Sequence, residues 1–169
     1  MQIRKSVRIL LLNDKKELLL IYAKKSKTRK LKLKENEGFW FTIGGGINED
    51  EDIIDAAYRE ILEETGIEKK DINLGPEVWH GNFYLNHRGR MTLMEQSFYV
   101  AYTKKNNVFF NDIDHWEKKC LEKLEWFSFE KIIDSKELIF PIDLKKYLPD
   151  ILDNKFPKKP IQINISKEE

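Results

Sequence analysis

One segment, residues 52–65, constrains this chain most, because it reads as a helix that would be costly as an ordinary surface helix. An apolar stripe runs along its first half and three carboxylates follow on the same side, since residues three and four apart share one face of a helix. The apolar positions are Ile53, Ala56 and Ala57, and the carboxylates are Glu60, Glu63 and Glu64. Because such a stripe normally packs against the rest of the protein, we expect the carboxylates to be buried or half-buried.

Carboxylates in this position need a compensating charge. Like charges four residues apart repel each other, and carboxylates in the last turn oppose the partial negative charge of the helix C-terminus. A hard divalent cation with oxygen ligands would supply the compensation. The glycine run at residues 44–46 would let the backbone approach such a ligand closely. On spacing alone, a solvated acidic face of a surface helix remains the alternative interpretation.

The rest of the chain predicts several strands and two late helices. Apolar and aromatic runs predict strands at residues 7–12, 18–22, 38–43, 74–85, 92–102 and 124–127. The fourth and fifth of these would pair as a hairpin, and helices are predicted at residues 129–135 and 142–152. This order of elements predicts an α/β sandwich with a mixed sheet. We expect one domain over residues 1–156 and a poorly ordered C-terminal tail over residues 157–169.

Charge and composition argue against several classes of protein. Lys and Arg number 30 against 29 Asp and Glu, for a formal net charge of +1, so the overall charge gives no case for a nucleic-acid or membrane partner. The first apolar run, at residues 9–12, is too short for a signal-peptide core or a membrane span. The single cysteine, Cys120, cannot form an internal disulfide and fits a reducing compartment. We therefore expect a cytoplasmic protein.

A dense motif covers residues 45–67. Gly45 is followed, after five residues, by Glu51, and after seven more by Arg59-Glu60-Ile61, Glu63-Glu64 and Gly66-Ile67. With ordinary residue frequencies, a chance match is on the order of 10⁻¹⁰ per start position. The motif resembles the Nudix box, and by this resemblance the chain is identified as a MutT-like member of the Nudix hydrolase family.

The resemblance implies both a fold and a site. The fold is the Nudix-type α/β/α sandwich with a mixed central sheet. In the site, Glu63 and Glu64 would bind Mg²⁺ directly, with Mn²⁺ as a substitute, and Glu60 would bind metal or act as the base that orients water. The carbonyl of Gly44 would be a further metal ligand. Structural roles would fall to Gly45, Glu51, Arg59 and Gly66. Arg59 would pair with Glu51 and hold the helix against the loop. For Glu51, a structural role as helix cap and a role in metal binding are equal alternatives.

The implied reaction is Mg²⁺-dependent hydrolysis of a diphosphate bond in a nucleoside diphosphate linked to another moiety, as in nucleoside triphosphates, dinucleoside polyphosphates or ADP-ribose. Metal-activated water would attack phosphorus, and a carboxylate would accept the water's proton. The binding partner is then a nucleotide-type small molecule. Whether the chain also forms a homodimer is left undecided by the sequence.

Two other functions stay in view. One is a non-catalytic nucleotide-binding sensor or scaffold with a Nudix-like fold, although such proteins tend to lose the box carboxylates that this chain keeps. The other is a hydrolase acting on RNA 5′ ends, which the near-neutral charge does not support. We therefore expect neither a nucleic-acid nor a membrane partner.

Two further sets of candidates lie outside the motif. Members of the family often take an additional acid from elsewhere in the chain, and Glu95 and Glu122 are the candidates here, although surface carboxylates are the more ordinary interpretation. Trp40, Phe83 and Tyr84 are candidates for stacking on a base, although aromatics in strands usually belong to the core. The basic stretch at residues 24–34 either steers a polyphosphate or is a solvated loop.

Overall fold

The computed structural model describes residues 1–24, 38–87 and 89–167 of the 169-residue chain. Within these ranges the strands are β1 Gln2–Leu12, β2 Leu18–Lys24, β3 Gly38–Gly46, β4 Ile72–His87, β5 Arg90–Thr103, β6 Leu121–Phe127, β7 Leu138–Ile139 and β8 Ile161–Gln162. The helices are α1 Ile53–Thr65, α2 His115–Cys120, α3 Phe129–Asp134 and α4 Leu144–Leu152, and a 3₁₀ turn spans Lys69–Asp71. Apart from Lys24, the basic stretch lies outside the described residues.

Within the described residues, the eight strands form one mixed sheet. Seven of them follow the order β6-β2-β3-β1-β5-β4-β8, and β7 lies off this order and pairs with β3. β1 lies near the centre, antiparallel to β3 and parallel to β5. β4 and β5 form a long antiparallel hairpin. The mixed sheet and the hairpin predicted from the sequence are therefore confirmed.

Helices cover both faces of this sheet. Because side chains alternate between faces along a strand, Ile9 and Leu11 of β1 pack in the same core as α1, whereas Leu10 and Leu12 pack in a second core. That second core also contains buried residues of α3 and α4, namely Ile132, Leu144, Leu148 and Ile151. The predicted α/β/α sandwich is confirmed, and the sheet separates α1 from α3 and α4.

Several elements differ from the sequence prediction. β1 begins at Gln2, five residues earlier than predicted, because it pairs with β5 along its whole length, and the two-residue strand β7 has no counterpart in the prediction. β3 continues through Gly46 instead of ending before the glycine run, because the backbone there pairs with β1 from Ser6 to Ile9. β6 begins at Leu121, three residues earlier than predicted, where it pairs with β2. The short helix α2 has no counterpart in the sequence prediction, because six residues carry too little periodicity to identify a helix.

The C-terminal segment packs against the sheet, so the expectation of a poorly ordered tail is wrong for residues 161–165. Ile161 pairs with Trp79 of β4, and the N–H of Ile163 donates to the carbonyl of His80 at 2.9 Å. Ile163 and Ile165 are buried in the same core as α4. This alternation of apolar and polar residues is a strand signal, but the proline before it and the charged residues after it favoured a tail in the sequence prediction.

Among the described residues, none of the helices has the length and apolar character needed to cross a lipid bilayer.

Candidate active site

The sequence of α1 fixes both of its ends. The carboxylate of Asp52 caps the N-terminus by accepting the N–H of Ile54 at 2.8 Å. Gly66 ends the helix in the left-handed conformation with φ of 75°, where glycine carries no steric penalty. Glu51, the residue considered as a cap from the sequence, instead accepts the N–H of Asn48 at 2.9 Å. The helix cap is therefore Asp52, and Glu51 closes the turn that precedes the helix.

The box carboxylates continue the buried face of α1. Ile61 is fully buried in the core beneath the helix, Glu60 is 7% exposed and Glu64 only 1%. Glu63 lies at the rim, with 30% of its side chain exposed. The buried or half-buried position expected for these three carboxylates is confirmed.

The glycine turn before α1 fits closely around two of the carboxylates. Gly44 has φ of 135°, in the region that favours glycine, and its N–H donates to Oε1 of Glu64 at 2.8 Å. A Cβ atom on Gly45 would lie 2.5 Å from Oε1 of Glu60. Any side chain at Gly45 would therefore displace the carboxylate of Glu60.

Arg59 joins the turn to the carboxylates of α1. Its Nε and Nη2 bond the two oxygens of Glu51 at 2.7 and 2.9 Å, the bidentate geometry that makes such pairs strong. Its Nη1 donates to Glu60 at 2.8 Å and to Glu63 at 3.2 Å. Its Nη2 also donates to the carbonyl of Gly46 at 2.9 Å. The Arg59–Glu51 pair implied by the motif is present in the structure.

Negative charge exceeds positive charge at this site. Burial, and then the charge of Glu60, raise the pKa of Glu64 well above its ordinary value, and the same two causes raise the pKa of Glu63. Glu51 behaves in the opposite way, because its hydrogen bond with Arg59 lowers its pKa to about 2. The carboxylates of Glu63 and Glu64 therefore lack compensation that Glu51 has, and a bound cation would provide it.

The donor chemistry of the site fits a divalent cation. Carboxylate and carbonyl oxygens are the ligands that hard cations prefer. Among the described residues, however, no three acidic, histidine or cysteine side chains are already arranged to hold one ion. Arg59 donates hydrogen bonds to Glu60 and Glu63, and the N–H of Gly44 donates one to Glu64. A cation that takes Glu60 and Glu63 as ligands would have to compete with Arg59 for them.

A fourth carboxylate, Glu117 of α2, lies within electrostatic reach of the box. Its charge contributes to the raised pKa of Glu64. The pKa of Glu117 is itself raised, mainly by burial, then by the neighbouring carboxylate of Asp114, and least by the charge of Glu60. The sequence analysis missed this residue. Asp114 and Glu117 form a capping box, which is a recognisable start signal for a helix but does not reveal that Glu117 lies within electrostatic reach of the box carboxylates.

The two candidates for an outside acid named from the sequence have other neighbours. Glu122 of β6 forms an ion pair with Lys24 of β2. Glu95 of β5 lies beside Lys5 of β1 in the sheet. Within the described ranges, neither is among the charges that shift the pKa values of the buried box carboxylates. The structure therefore gives these two candidates no support.

The three aromatic candidates for base stacking are in different environments. Trp40 is buried beside Phe127, in the core on the face opposite α1. Phe83 is partly buried against the same core. Tyr84 is 60% exposed on β4. Trp40 is therefore a core residue, while stacking by Tyr84 stays a prediction.

Arg8 of β1 is a second charged residue that the sequence analysis missed. Its Nη1 donates to the carbonyl of Gly44 at 3.0 Å and to that of Thr42 at 3.3 Å. Its charge also lowers the pKa of Glu64, against the larger effects of burial and Glu60. A lone arginine inside the apolar run of β1 is the signal that could have identified it.

Comparison with known proteins identifies the family of this chain. The NUDIX domain family matches residues 2–151, a range that contains the glycine turn, α1, Arg8 and Glu117. The chain therefore belongs to the Nudix family.

Similar proteins support the same family and fold. The RNA pyrophosphohydrolase of Haemophilus ducreyi is 43% identical over 49 residues, which cover 29% of this chain and 23% of that protein. The MutT protein of Methanosarcina mazei Go1 has a TM-score of 0.59 at 24% identity, covering 91% of this chain and 93% of that one. The dihydroneopterin triphosphate pyrophosphohydrolase of E. coli has a TM-score of 0.61 at 15% identity, covering 91% and 99%. The chain spans less than half the length of the curated relatives it matches.

Proposed function

We propose that this chain is a pyrophosphohydrolase, which cleaves a diphosphate bond in a nucleoside-diphosphate-linked substrate by attack of water on phosphorus. The observation that carries the proposal is the position of Glu60, Glu63 and Glu64, which follow the buried face of α1 beside the glycine turn. Burying carboxylates is costly unless they are compensated, and a metal-bound diphosphate site offers a reason to keep them. The relative from Haemophilus ducreyi is named an RNA pyrophosphohydrolase, which refers to the same kind of bond.

We assign the metal role to Glu60, Glu63 and Glu64 together with the carbonyl of Gly44, and we propose Mg²⁺ as the ion, with Mn²⁺ as a substitute. A bound divalent cation supplies neutralisation of the diphosphate and a lowered pKa for coordinated water. The raised pKa values of Glu63 and Glu64 support the assignment, because an adjacent cation favours the ionised carboxylates.

Two carboxylates are suited to accept the proton of the attacking water. Glu60 belongs to the box, and Glu117 lies outside it within electrostatic reach of Glu60 and Glu64. The raised pKa of Glu117 brings it closer to neutral pH, which favours a general base. We therefore propose Glu117 as the additional acidic residue of this enzyme.

The charge of the site also favours an enzyme over a nucleotide-binding sensor. An anionic nucleotide is repelled by uncompensated carboxylates, so a protein that only binds nucleotides gains nothing by keeping Glu60, Glu63 and Glu64 together. The nearly complete burial of Glu64 makes this cost larger. Hydrolysis that depends on a metal ion gives all three residues a role.

The test is a turnover screen with Mg²⁺, with and without a chelator, against nucleoside triphosphates, ADP-ribose, dinucleoside polyphosphates and 5′-triphosphorylated RNA, read as phosphate released after phosphatase coupling. We expect the wild-type protein to turn over at least one of these classes and to lose the activity on chelation. Glu63→Gln and Glu64→Gln should each reduce turnover by about 100-fold or more, the effect of losing several kcal/mol of transition-state stabilisation.

Glu68→Gln is the matched control, because Glu68 lies just beyond α1 with most of its side chain exposed. It should keep wild-type turnover, and all the variants should keep the wild-type circular dichroism spectrum. Wild-type protein that binds nucleotides but turns none over would favour the sensor. Near-normal activity in Glu63→Gln or Glu64→Gln would refute the metal assignment.

A further inference from the structure

The outer edge of β4 is only partly covered by the chain itself. The C-terminal segment pairs with Trp79 and His80 through β8, and it still lies close at Gly81, where a Cβ atom would be 2.6 Å from Cδ1 of Ile165. Beyond that point, no strand of the described residues pairs with the side of β4 that faces away from β5. Such an edge presents backbone N–H and C=O groups with which a strand of another chain can pair.

The two edges of the sheet differ in charge. β6, the strand at the opposite edge, carries Glu122, Lys123 and Glu125 among its seven residues. Charged side chains of this kind protect an edge strand against pairing with another chain. The free part of β4 consists of Asn82, Phe83, Tyr84, Leu85 and Asn86. None of these five residues is charged, so this part of the edge lacks the protection that β6 has.

The free edge has the same chemical character in both directions along the chain. Tyr84 stands at its centre, an apolar residue follows on each side, and an asparagine lies at each end. If two copies of this strand pair antiparallel about a two-fold axis at residue 84, each Tyr84 lies opposite the other. Phe83 then lies opposite Leu85, and Asn82 lies opposite Asn86. A two-fold interface requires this self-complementarity, whereas an unrelated strand does not, so the pattern favours a second copy of this chain.

The exposure of the side chains agrees with such a pairing. Tyr84 is 60% exposed, and Phe83 and Leu85 are half-buried. Because side chains alternate between the faces of a strand, Tyr84 lies on one face and the two apolar residues lie on the other. Pairing of two copies would therefore cover apolar surface on both faces of the hairpin, and cross-strand aromatic and apolar pairs stabilise a sheet.

We infer that this chain forms a homodimer in which residues 82–86 of β4 pair antiparallel with the same residues of a second copy, about a two-fold axis at Tyr84. The sheets of the two copies then join into one. The inference is independent of the proposed function, because it involves no residue assigned to the metal ion or to the proton of the attacking water.

Sedimentation equilibrium over a range of protein concentrations tests whether the dimer forms. The wild-type protein should be a dimer at high concentration. Tyr84→Lys places like charges directly opposite each other and should weaken dimerisation about tenfold or more. The control is Trp116→Lys, the same kind of change at an exposed aromatic residue of α2, which should dimerise as the wild type does. A wild-type protein that is monomeric at every concentration, or a Tyr84→Lys variant that dimerises as tightly as the wild type, would overturn the inference.

The register of the pairing can be tested by crosslinking. Cys120 is the single cysteine of the chain, so Cys120→Ser removes the background. In that variant, Tyr84→Cys should give a disulfide-linked dimer on mild oxidation, because directly opposed residues have Cα atoms about 4.5 to 5.5 Å apart, within reach of a disulfide. Asn82→Cys is the matched control, since its two copies would lie about 14 Å apart along the paired strands. Equal crosslinking of the two variants, or none with Tyr84→Cys, would contradict the inference.

Hydrogen exchange on the wild-type protein covers the case in which the variants do not fold. Amides of residues 82–86 that are free in the single chain should become protected as the protein concentration rises and the dimer forms. Amides of the exposed turn residues Glu49 and Asp50 should exchange at the same rate at all concentrations. A dimer in which exchange of residues 82–86 does not change would use a different surface, and this result would overturn the inference.

Discussion

At the scale of single residues, Arg59 determines how charge is shared within the site. One guanidinium bonds three carboxylates, so it cannot neutralise them all. Glu51 takes the bidentate contact, while Glu60 and Glu63 share a single nitrogen. The negative charge of Glu51 is thereby compensated within the protein. The charges of Glu60 and Glu63 are only partly compensated, so these two carboxylates remain suited to binding a cation.

The strong pairing of Glu51 leads to a prediction about pH. Its folded-state pKa of about 2 lies below the ordinary value of 4.5, so the ionised carboxylate stabilises the fold above pH 4.5. That stabilisation is lost as the pH falls from about 4.5 towards 2. Glu51→Gln should lower the free energy of unfolding at pH 7 by on the order of 1 kcal/mol, and the difference from wild type should shrink at pH 3. Urea denaturation at both pH values measures it.

Glu49→Gln provides the comparison for this pH experiment, because Glu49 is exposed in the same turn. Its effect should be small at both pH values. A difference between Glu51→Gln and wild type that stays constant from pH 7 to pH 3 would show that the carboxylate of Glu51 does not owe its effect to ionisation.

At the scale of elements, the segment between β5 and α2 forms backbone hydrogen bonds with the last turn of α1. The N–H of Phe109 donates to the carbonyl of Thr65 at 3.1 Å, and those of Asn111 and Asp112 both donate to the carbonyl of Glu63 at 2.9 Å. These donors satisfy carbonyls that a helix C-terminus leaves without a partner. The same segment leads directly into α2, so the contact that stabilises the end of α1 also brings Glu117 towards the box.

The packing of β8 and the residues after it is a second feature at this scale, and it can be tested by truncating a side chain. Ile163 is buried against the same core as α4. Ile163→Ala should therefore lower the free energy of unfolding by roughly 2 kcal/mol or more, as measured by urea denaturation. The control is Ile133→Ala, since Ile133 is exposed on α3. This variant should lose well under half as much free energy of unfolding as Ile163→Ala. Equal losses in the two variants would mean that the C-terminal segment does not contribute to the core.

At the scale of the whole molecule, what the sequence predicts well is local and what it misses depends on distant contacts. The motif from Gly45 to Ile67, α1 and most of strands β1 to β6 follow from spacing along the chain. Glu117 is within electrostatic reach of Glu60 and Glu64, although about 55 residues separate them along the chain. Arg8 reaches the site because β1 pairs with β3. No local sequence pattern predicts that Glu117 or Arg8 lies near the box carboxylates. The pairing of the C-terminal strand β8 with β4 is likewise not predicted by a local pattern.

Equilibrium binding of Mn²⁺, followed by electron paramagnetic resonance, tests most directly whether the carboxylates of α1 form a divalent-cation site. The wild-type protein should bind Mn²⁺, and Mg²⁺ should compete for the same site. Glu64→Gln should weaken Mn²⁺ binding by at least about tenfold, whereas Glu68→Gln should bind as the wild type does. Wild-type protein that binds no Mn²⁺, or a Glu64→Gln variant that binds it as tightly as the wild type, would contradict the account.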